Sequence, residues 1–135
     1  MSPLAAMPTV ADNPPETLAR RLRAQLRAVA TRRLPITYQQ AAKGLLLAPP
    51  GTIHRVTKAL EQLMAEDAAA GRPFIAAVVI SKGRGGLPAP GFFECATRLG
   101  RFAADATEPD AWVFHAAEFN AAIAFWAWPR HSPWE

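Results

Sequence analysis

The spacing of apolar and polar positions along the chain predicts a mostly helical protein with one strand-like stretch in the middle. In the first predicted helix, apolar residues recur every three or four positions, at Leu18, Leu22, Leu26 and Val29. Asn13 is a suitable N-cap and Pro14 suits the first helical position. The helix is therefore predicted to begin at residue 13 and to end before Pro35.

Residues 37–70 have the order of a helix-turn-helix. Thr37 and Gln40 have the spacing of a capping box, which predicts a second helix to about Leu46. Two prolines and a glycine at 49–51 then force a turn. A third helix is predicted from Thr52, taken as its cap, to Gly71. Its apolar stripe consists of Ile53, Val56, Leu60, Leu63 and Met64.

A change of period follows the third helix. Residues 74–80 are an apolar, β-branched run of strand length, and residues 81–86 are a basic, glycine-rich loop. The return segment at 87–92 contains two prolines, so any pairing there should be short or at an edge. The sequence thus predicts a small β-hairpin over 74–92, placed as the wing of a winged helix.

The C-terminal part, residues 93–128, is predicted to hold two further helices. The first should run from Phe93 to Leu99, and the second should begin at Thr107 with Asp110 in a capping box. The apolar stripe of the second helix is Trp112, Ala116, Phe119, Ile123 and Trp126. We interpret this stripe as core. The alternative is an interface for a partner or a second copy, because the helix region carries more aromatic rings than one face can bury: Trp112, Phe119, Trp126 and Trp128 are its candidates.

The fold class predicted from these elements is mostly α with a small β-hairpin. A single winged-helix-like domain is expected over 13–135, with an extra N-terminal helix, an aromatic C-terminal helix and a disordered lead at 1–12. The apolar runs are far shorter than the ~20 residues of a membrane span, and the first residues do not have the pattern of a signal peptide. With one cysteine, Cys95, and an alanine- and arginine-rich composition, we expect a cytoplasmic, bacterial protein.

Charge is distributed unevenly around a formal net charge of +4. Residues 1–58 hold nine basic and two acidic residues, whereas 59–71 hold three acidic residues and no basic one. Residues 72–101 are again basic, and 102–135 are acidic. If the basic blocks share a face, that face suits a polyanion. The alternative is a set of solvated arginines that cover helices.

Residues 36–45 and 53–60 resemble the opening helix and the recognition helix of the C-terminal domain of DNA alkyltransferases and alkyltransferase-like proteins. The resemblance covers residues 36–91 and implies a winged helix that binds DNA, with Tyr38 in place of the family tyrosine that contacts the DNA backbone. The family's Pro-Cys-His-Arg motif is replaced by residues 76–79, which contain no thiol and no base. Alkyl transfer needs an activated thiolate, so it is not expected here. The family's recognition arginine aligns with His54, and Arg55 follows one place later.

The favoured hypothesis is a non-enzymatic protein that binds double-stranded DNA through helix 52–70 and the wing at 81–91. The N-terminal turns of a recognition helix reach base edges, and basic residues on a loop can hold phosphates. The candidate DNA-binding residues are Tyr38, Thr52, His54, Arg55, Lys58, Lys82 and Arg84. The alternative is a protein–protein interaction adaptor or accessory subunit that uses the aromatic C-terminal helix.

Other groups that could carry chemistry are interpreted as structural. Cys95 stands among aromatic residues and is expected to be a buried, small apolar side chain. His115 and Glu118 are three residues apart on a helix, but two ligands do not make a metal site. No catalytic residue, metal or cofactor is therefore expected.

Overall fold

Residues 17–127 are described by a computed structural model of the chain. Over this range the chain forms five α-helices: α1 (Leu18–Arg32), α2 (Tyr38–Gly44), α3 (Thr52–Ala69), α4 (Pro90–Arg98) and α5 (Glu108–Trp126). It also forms two short strands and a 3-10 helix: β1 (Ile36–Thr37), the 3-10 helix (Ile75–Val78) and β2 (Val79–Ile80). The prediction of a mostly helical fold is confirmed.

Helix α1 begins later than predicted. Its N-cap is Thr17, whose hydroxyl accepts a hydrogen bond from the N–H of Arg20 at 3.1 Å. The predicted cap, Asn13, lies outside the described residues. The apolar stripe is as predicted: Leu22 and Leu26 are fully buried, and α1 packs against α3 through this face.

The helix pair α2–α3 is present, with two corrections at the start of α3. The capping box of α2 is confirmed: the N–H of Gln40 donates to Thr37 Oγ1 at 3.0 Å, and the N–H of Thr37 donates to Gln40 Oε1 at 2.9 Å. Thr52 is not the cap of α3. Gly51 occupies that position at φ 75°, a left-handed conformation that favours glycine, and Thr52 is the first helical residue. Ile53 is 37% exposed, so the buried stripe of α3 starts at Val56.

The predicted hairpin over 74–92 is wrong. Only Val79 and Ile80 of the apolar run form a strand, and they pair in parallel with β1 at Ile36 and Thr37. The residues before them turn into the 3-10 helix, because their backbone groups are bound by side chains. Asp67 and Glu118 accept from the N–H groups of Ile75 and Phe74, at 3.0 and 2.8 Å, which removes the donors that a strand ladder would need.

The return segment also differs from a hairpin strand. The N–H of Ser81 donates to the carbonyl of Leu87 at 2.8 Å, which closes residues 81–87 into a loop. No described ladder continues beyond this bond, because α4 already begins at Pro90, three residues before the predicted Phe93. The wing expected at 81–91 is therefore a closed loop followed directly by a helix.

Helix α5 has the predicted capping box but a different buried face in its first half. The N–H of Thr107 donates to Asp110 Oδ2 at 2.9 Å, and the N–H of Asp110 donates to Thr107 Oγ1 at 3.3 Å. The predicted stripe holds for Ile123 and Trp126, which are buried. In the first half, His115 is buried instead of Trp112, because the His115 Nε2–H meets the carbonyl of Ala77 in the 3-10 helix, 2.9 Å away.

A buried carboxylate joins the helices around the 3-10 segment. Asp67 of α3 has no exposed surface. Its Oδ1 accepts hydrogen bonds from Arg23 of α1 at 2.9 Å and from Arg72 at 3.1 Å, and its Oδ2 accepts from the N–H of Ile75. In the sequence, Asp67 counts only as one of the three acidic residues of 59–71. The structure shows that it is interior and paired, as a buried charge requires.

Helix α5 closes over the same cluster. The guanidinium groups of Arg23 and Arg72 stack on the Trp126 ring at 5.0 and 5.2 Å from its centre. The indole N–H of Trp126 donates to the carbonyl of Pro73 at 3.1 Å. Trp126 is thereby part of the core, as the favoured interpretation of the α5 stripe predicted.

Replacing Asp67 should strongly destabilise the fold. In Asp67→Ala, Arg23 and Arg72 lose their common acceptor and the Ile75 N–H is left buried without one. We expect a loss of about 3–5 kcal/mol in the free energy of unfolding, measured by urea denaturation. The control is Asp105→Ala, because Asp105 is exposed and makes no hydrogen bond with the described residues. Equal stability of the two variants would contradict the assigned role of Asp67.

Burial of His115 should make the stability depend on pH. Burial lowers the pKa of His115 below its usual 6.5, more than the hydrogen bond to Ala77 and the charge of Glu118 raise it. The unfolded chain therefore takes up the proton more readily, and stability should fall as the pH drops through 6.5 and below. His115→Gln keeps a donor for the Ala77 carbonyl and does not titrate. Urea denaturation at pH 7.5 and 5.5 should show a smaller loss for this variant, and equal losses would refute the assignment.

Candidate nucleic-acid interface

The first two turns of α3 present basic side chains to solvent. His54, Arg55 and Lys58 are exposed, whereas the neighbouring Val56 and Ala59 are buried. The helix starts at an exposed turn, and its first N–H groups lack intrahelical partners. This end of the helix is therefore positive both through its backbone and through its side chains.

These three side chains differ in how far the protein itself uses them. Arg55 donates one hydrogen bond, from Nη2 to the carbonyl of Ala48 at 2.8 Å, which ties the turn to the helix. No described residue accepts from its remaining donors. His54 and Lys58 make no hydrogen bond or ion pair with the part of the chain that the structure describes. Thr52 is half-buried at the start of the helix.

The loop at 81–87 has one anchored and one free cation. Arg84 is half-buried, and its Nε donates to the carbonyl of Pro88 at 2.9 Å, within the base of the loop. Lys82 is exposed, and no other described residue binds it. Trp112 of α5 packs against the loop at Gly85: its ring lies 3.4 Å from the position that a Cβ at Gly85 would occupy.

Tyr38, predicted as a DNA contact, has a structural role within the fold. Its ring is buried, and its hydroxyl oxygen accepts a hydrogen bond from the N–H of Ala89 at 2.9 Å. Burial raises the pKa of Tyr38, partly offset by the Ala89 hydrogen bond and the nearby charge of Arg84. The hydroxyl thus fixes α2 against the segment that leads into α4.

A small hollow shows that α3 and the base of the loop are neighbours. It measures about 70 Å³ and lies between Thr57 and Glu61 of α3, the Tyr38 ring, and the segment at Ala89 and Gly91. The structure therefore places the middle of α3 beside the segment at Ala89 and Gly91, which follows the loop at 81–87. Glu61 contributes a carboxylate to this otherwise mostly apolar hollow.

Sequence reasoning did not separate the structural cations from the available ones. Six arginines are bound by carboxylates or carbonyls of the protein: Arg21, Arg23, Arg55, Arg72, Arg84 and Arg101. Within residues 17–127, seven cations have no such bond and no ring contact: Arg20, Arg32, Arg33, Lys43, Lys58, Lys82 and Arg98. Arg32 and Lys43 line one cleft between α1 and α2 and were not among the predicted site residues. The only sequence signal for it is that residues 17–60 contain no acid.

The aromatic residues of α5 divide between core and surface. Trp112 is 43% exposed, and Phe119 is half-buried next to His115. Together with Pro35 and Ile80, these residues line an open, largely apolar groove of about 310 Å³. Trp128, the remaining interface candidate, lies outside the described residues.

Cys95 and the possible metal ligands are the remaining groups that could carry chemistry. Cys95 is buried, as predicted, and burial raises the pKa of its thiol. Among residues 17–127, no three His, Cys, Asp or Glu side chains are placed together as metal ligands. In the same range no helix has the length and apolar character needed to cross a membrane.

Comparison of the chain with protein-family models, with curated proteins and with solved structures finds no match in any of the three. The resemblance to the alkyltransferase domain therefore rests on the residue pattern of 36–91.

Tyr38→Phe should separate a structural role of the hydroxyl from a DNA contact. Without the hydroxyl, the Ala89 N–H loses its acceptor, and we expect the free energy of unfolding to fall by about 1–3 kcal/mol. Affinity for a DNA duplex should stay at the wild-type value at a temperature where both proteins are folded. Unchanged stability together with weaker duplex binding would show that the hydroxyl contacts DNA after all.

Proposed function

We propose that this protein binds double-stranded DNA without catalysis, through the N-terminal turns of α3 and the loop at 81–87. The observation that carries the proposal is that His54 and Lys58 are exposed and bond to no described residue. Both lie on the outer face of α3. Basic side chains that bond to no described residue are available to an anionic ligand outside the protein.

The type of helix supports nucleic acid as that ligand. In a helix-turn-helix, the second helix enters the major groove with its N-terminal residues toward the base edges. Here that end carries His54 and Arg55, and Arg55 keeps donors free beside its bond to Ala48. An arginine at this position can read guanine, and the exposed Ile53 can contact a thymine methyl group.

The loop at 81–87 suits a phosphate contact. Arg84 and the Ser81–Leu87 bond hold the base of the loop, so Lys82 is presented from an anchored segment. We infer that the fold is a winged helix-turn-helix in which this closed loop replaces the usual two-stranded wing. The order of α1, β1, α2, α3, β2 and loop supports that inference. A DNA-binding role is also consistent with the cytoplasmic location expected from the sequence.

The proposal is tested by fluorescence anisotropy of a labelled random duplex at several salt concentrations. If three to four phosphates are neutralised, log affinity should fall with log salt at a slope of about −2.7 to −3.6. Lys58→Ala should reduce the slope by about 1 and weaken all sequences alike, whereas Arg55→Ala should relax the sequence preference.

The matched control for Lys58→Ala is Arg98→Ala. It removes the same charge from an exposed position on α4 and should leave both affinity and slope at wild-type values. Absence of duplex binding at low salt, or equal losses in Lys58→Ala and Arg98→Ala, would refute a site on α3.

A protein–protein adaptor is the second candidate, favoured by one observation. Trp112 and Phe125 of α5 are 43% and 54% exposed, which is unusual for large aromatic rings. If α5 is the working surface, Phe125→Ser should dissociate an oligomer or a bound partner without lowering stability. Sedimentation of the wild type and the variant distinguishes this role from DNA binding, which Phe125→Ser should not affect.

A further inference from the structure

A second surface of the protein has the chemistry of an oxyanion site. Helices α1 and α2 border an open cleft of about 480 Å³, lined among others by Arg32 of α1 and by Gln40 and Lys43 of α2. Helix α3 packs against both α1 and α2. The cleft does not include the N-terminal turns of α3, so it is distinct from the DNA site proposed above.

The polar side chains at the cleft have donors to offer. Arg32 and Lys43 are exposed and bind no other residue within 17–127. Gln40 uses its Oε1 to accept from the N–H of Thr37 at 2.9 Å, so its Nε2–H₂ group remains for a ligand. No carboxylate of the described residues lines the cleft, and residues 17–60 contain none.

The local structure fixes part of this arrangement in advance. The capping box of α2 holds the amide of Gln40 in place. On the other side, Gln25 of α1 donates from Nε2 to the carbonyl of Ala41 at 3.3 Å, which links the two helices. Gly44 permits this close approach, because a Cβ at that position would collide with the Gln25 amide. A ligand in the cleft would thus meet a wall fixed by these bonds and the two exposed cationic side chains of Arg32 and Lys43.

We propose that this cleft binds a phosphate group. The charges of Arg32 and Lys43 pair with the phosphate, and the Gln40 amide donates to one of its oxygens. Charge-assisted hydrogen bonds of this kind are short and strong, and a guanidinium matches the spacing of two phosphate oxygens. The phosphate can belong to a nucleic-acid backbone or to a small phosphorylated compound. In the first case the protein contacts nucleic acid on two faces.

The test is a titration of the ¹⁵N-labelled full chain with sodium phosphate, followed by NMR against sodium chloride at equal ionic strength. We expect saturable shifts of the Gln40 side-chain amide and of the backbone amides of Arg32 and Lys43. The double variant Arg32→Gln/Lys43→Gln should weaken phosphate binding by about tenfold or more. The control Arg20→Gln/Arg98→Gln removes equal charge outside the cleft and should bind as the wild type does.

A second titration, with a short DNA duplex, distinguishes the two sources of phosphate. It uses His54→Ala/Lys58→Ala, in which the proposed α3 site is disabled. Shifts of the same cleft signals assign the site to nucleic-acid phosphates, whereas shifts with phosphate alone assign it to a small compound. The proposal is overturned if phosphate leaves the cleft signals unmoved, or moves them equally in Arg32→Gln/Lys43→Gln. Since phosphate is the first probe, this result is independent of whether α3 binds DNA.

Discussion

The buried carboxylate of Asp67 is the constraint on which the other elements depend. A charge without solvent contact must be paired and hydrogen-bonded, and Asp67 meets this requirement with Arg23, Arg72 and the N–H of Ile75. These three partners come from α1, from the turn after α3 and from the 3-10 helix. These bonds bring together segments that are far apart in the sequence. They also position the guanidinium groups of Arg23 and Arg72, on which the Trp126 ring of α5 stacks.

The same requirement explains why the central apolar run is mostly not a strand. Asp67 and Glu118 bind consecutive backbone N–H groups at Ile75 and Phe74. Arg101 then links Glu118 to the carbonyl of Asp67, at 3.3 Å from each acceptor. Only Val79 and Ile80, beyond the reach of these side chains, remain to pair with β1.

The pairing of these carboxylates also determines which cations have a carboxylate partner within residues 17–127 and which have none. Arg23, Arg72 and Arg101 are bound within the fold, so their charge is largely neutralised. The cations near the start of α3, on the loop and along the α1–α2 cleft have no carboxylate partner within residues 17–127. A protein of modest net charge can in this way present locally basic surfaces, which suit phosphates.

Local signals predicted local structure well. The capping boxes at Thr37 and Thr107 were predicted correctly, because each depends on residues three apart. Long-range bonds were beyond such reasoning. Tyr38 binds Ala89, 51 residues away, and nothing in the local sequence distinguishes that partner from a phosphate. The same holds for the buried Asp67, whose neighbours in the sequence include the exposed Glu66.

Part of the candidate site was predictable for the same reason. The exposure of His54 and Lys58 follows from the helical period of α3, which the sequence displays. The cap of α3 was predicted wrongly because threonine is a common N-cap residue and Thr52 follows Gly51 directly. Gly51 is the cap because the backbone there is left-handed, and the sequence does not specify that angle. The buried face of α5 was predicted wrongly at Trp112. His115 is buried there instead, bound to the carbonyl of Ala77, and the Trp112 ring is exposed.

Hydrogen–deuterium exchange with and without a DNA duplex is the most direct test of the central claim, that α3 presents its unpaired cations to DNA. The first N–H groups of α3 lack intrahelical acceptors and should exchange quickly in the free protein. The account predicts that duplex slows exchange at 52–58 and 81–87 and leaves α5 unchanged. Slower exchange confined to α5, or no change at 52–58 at a saturating duplex concentration, would contradict it.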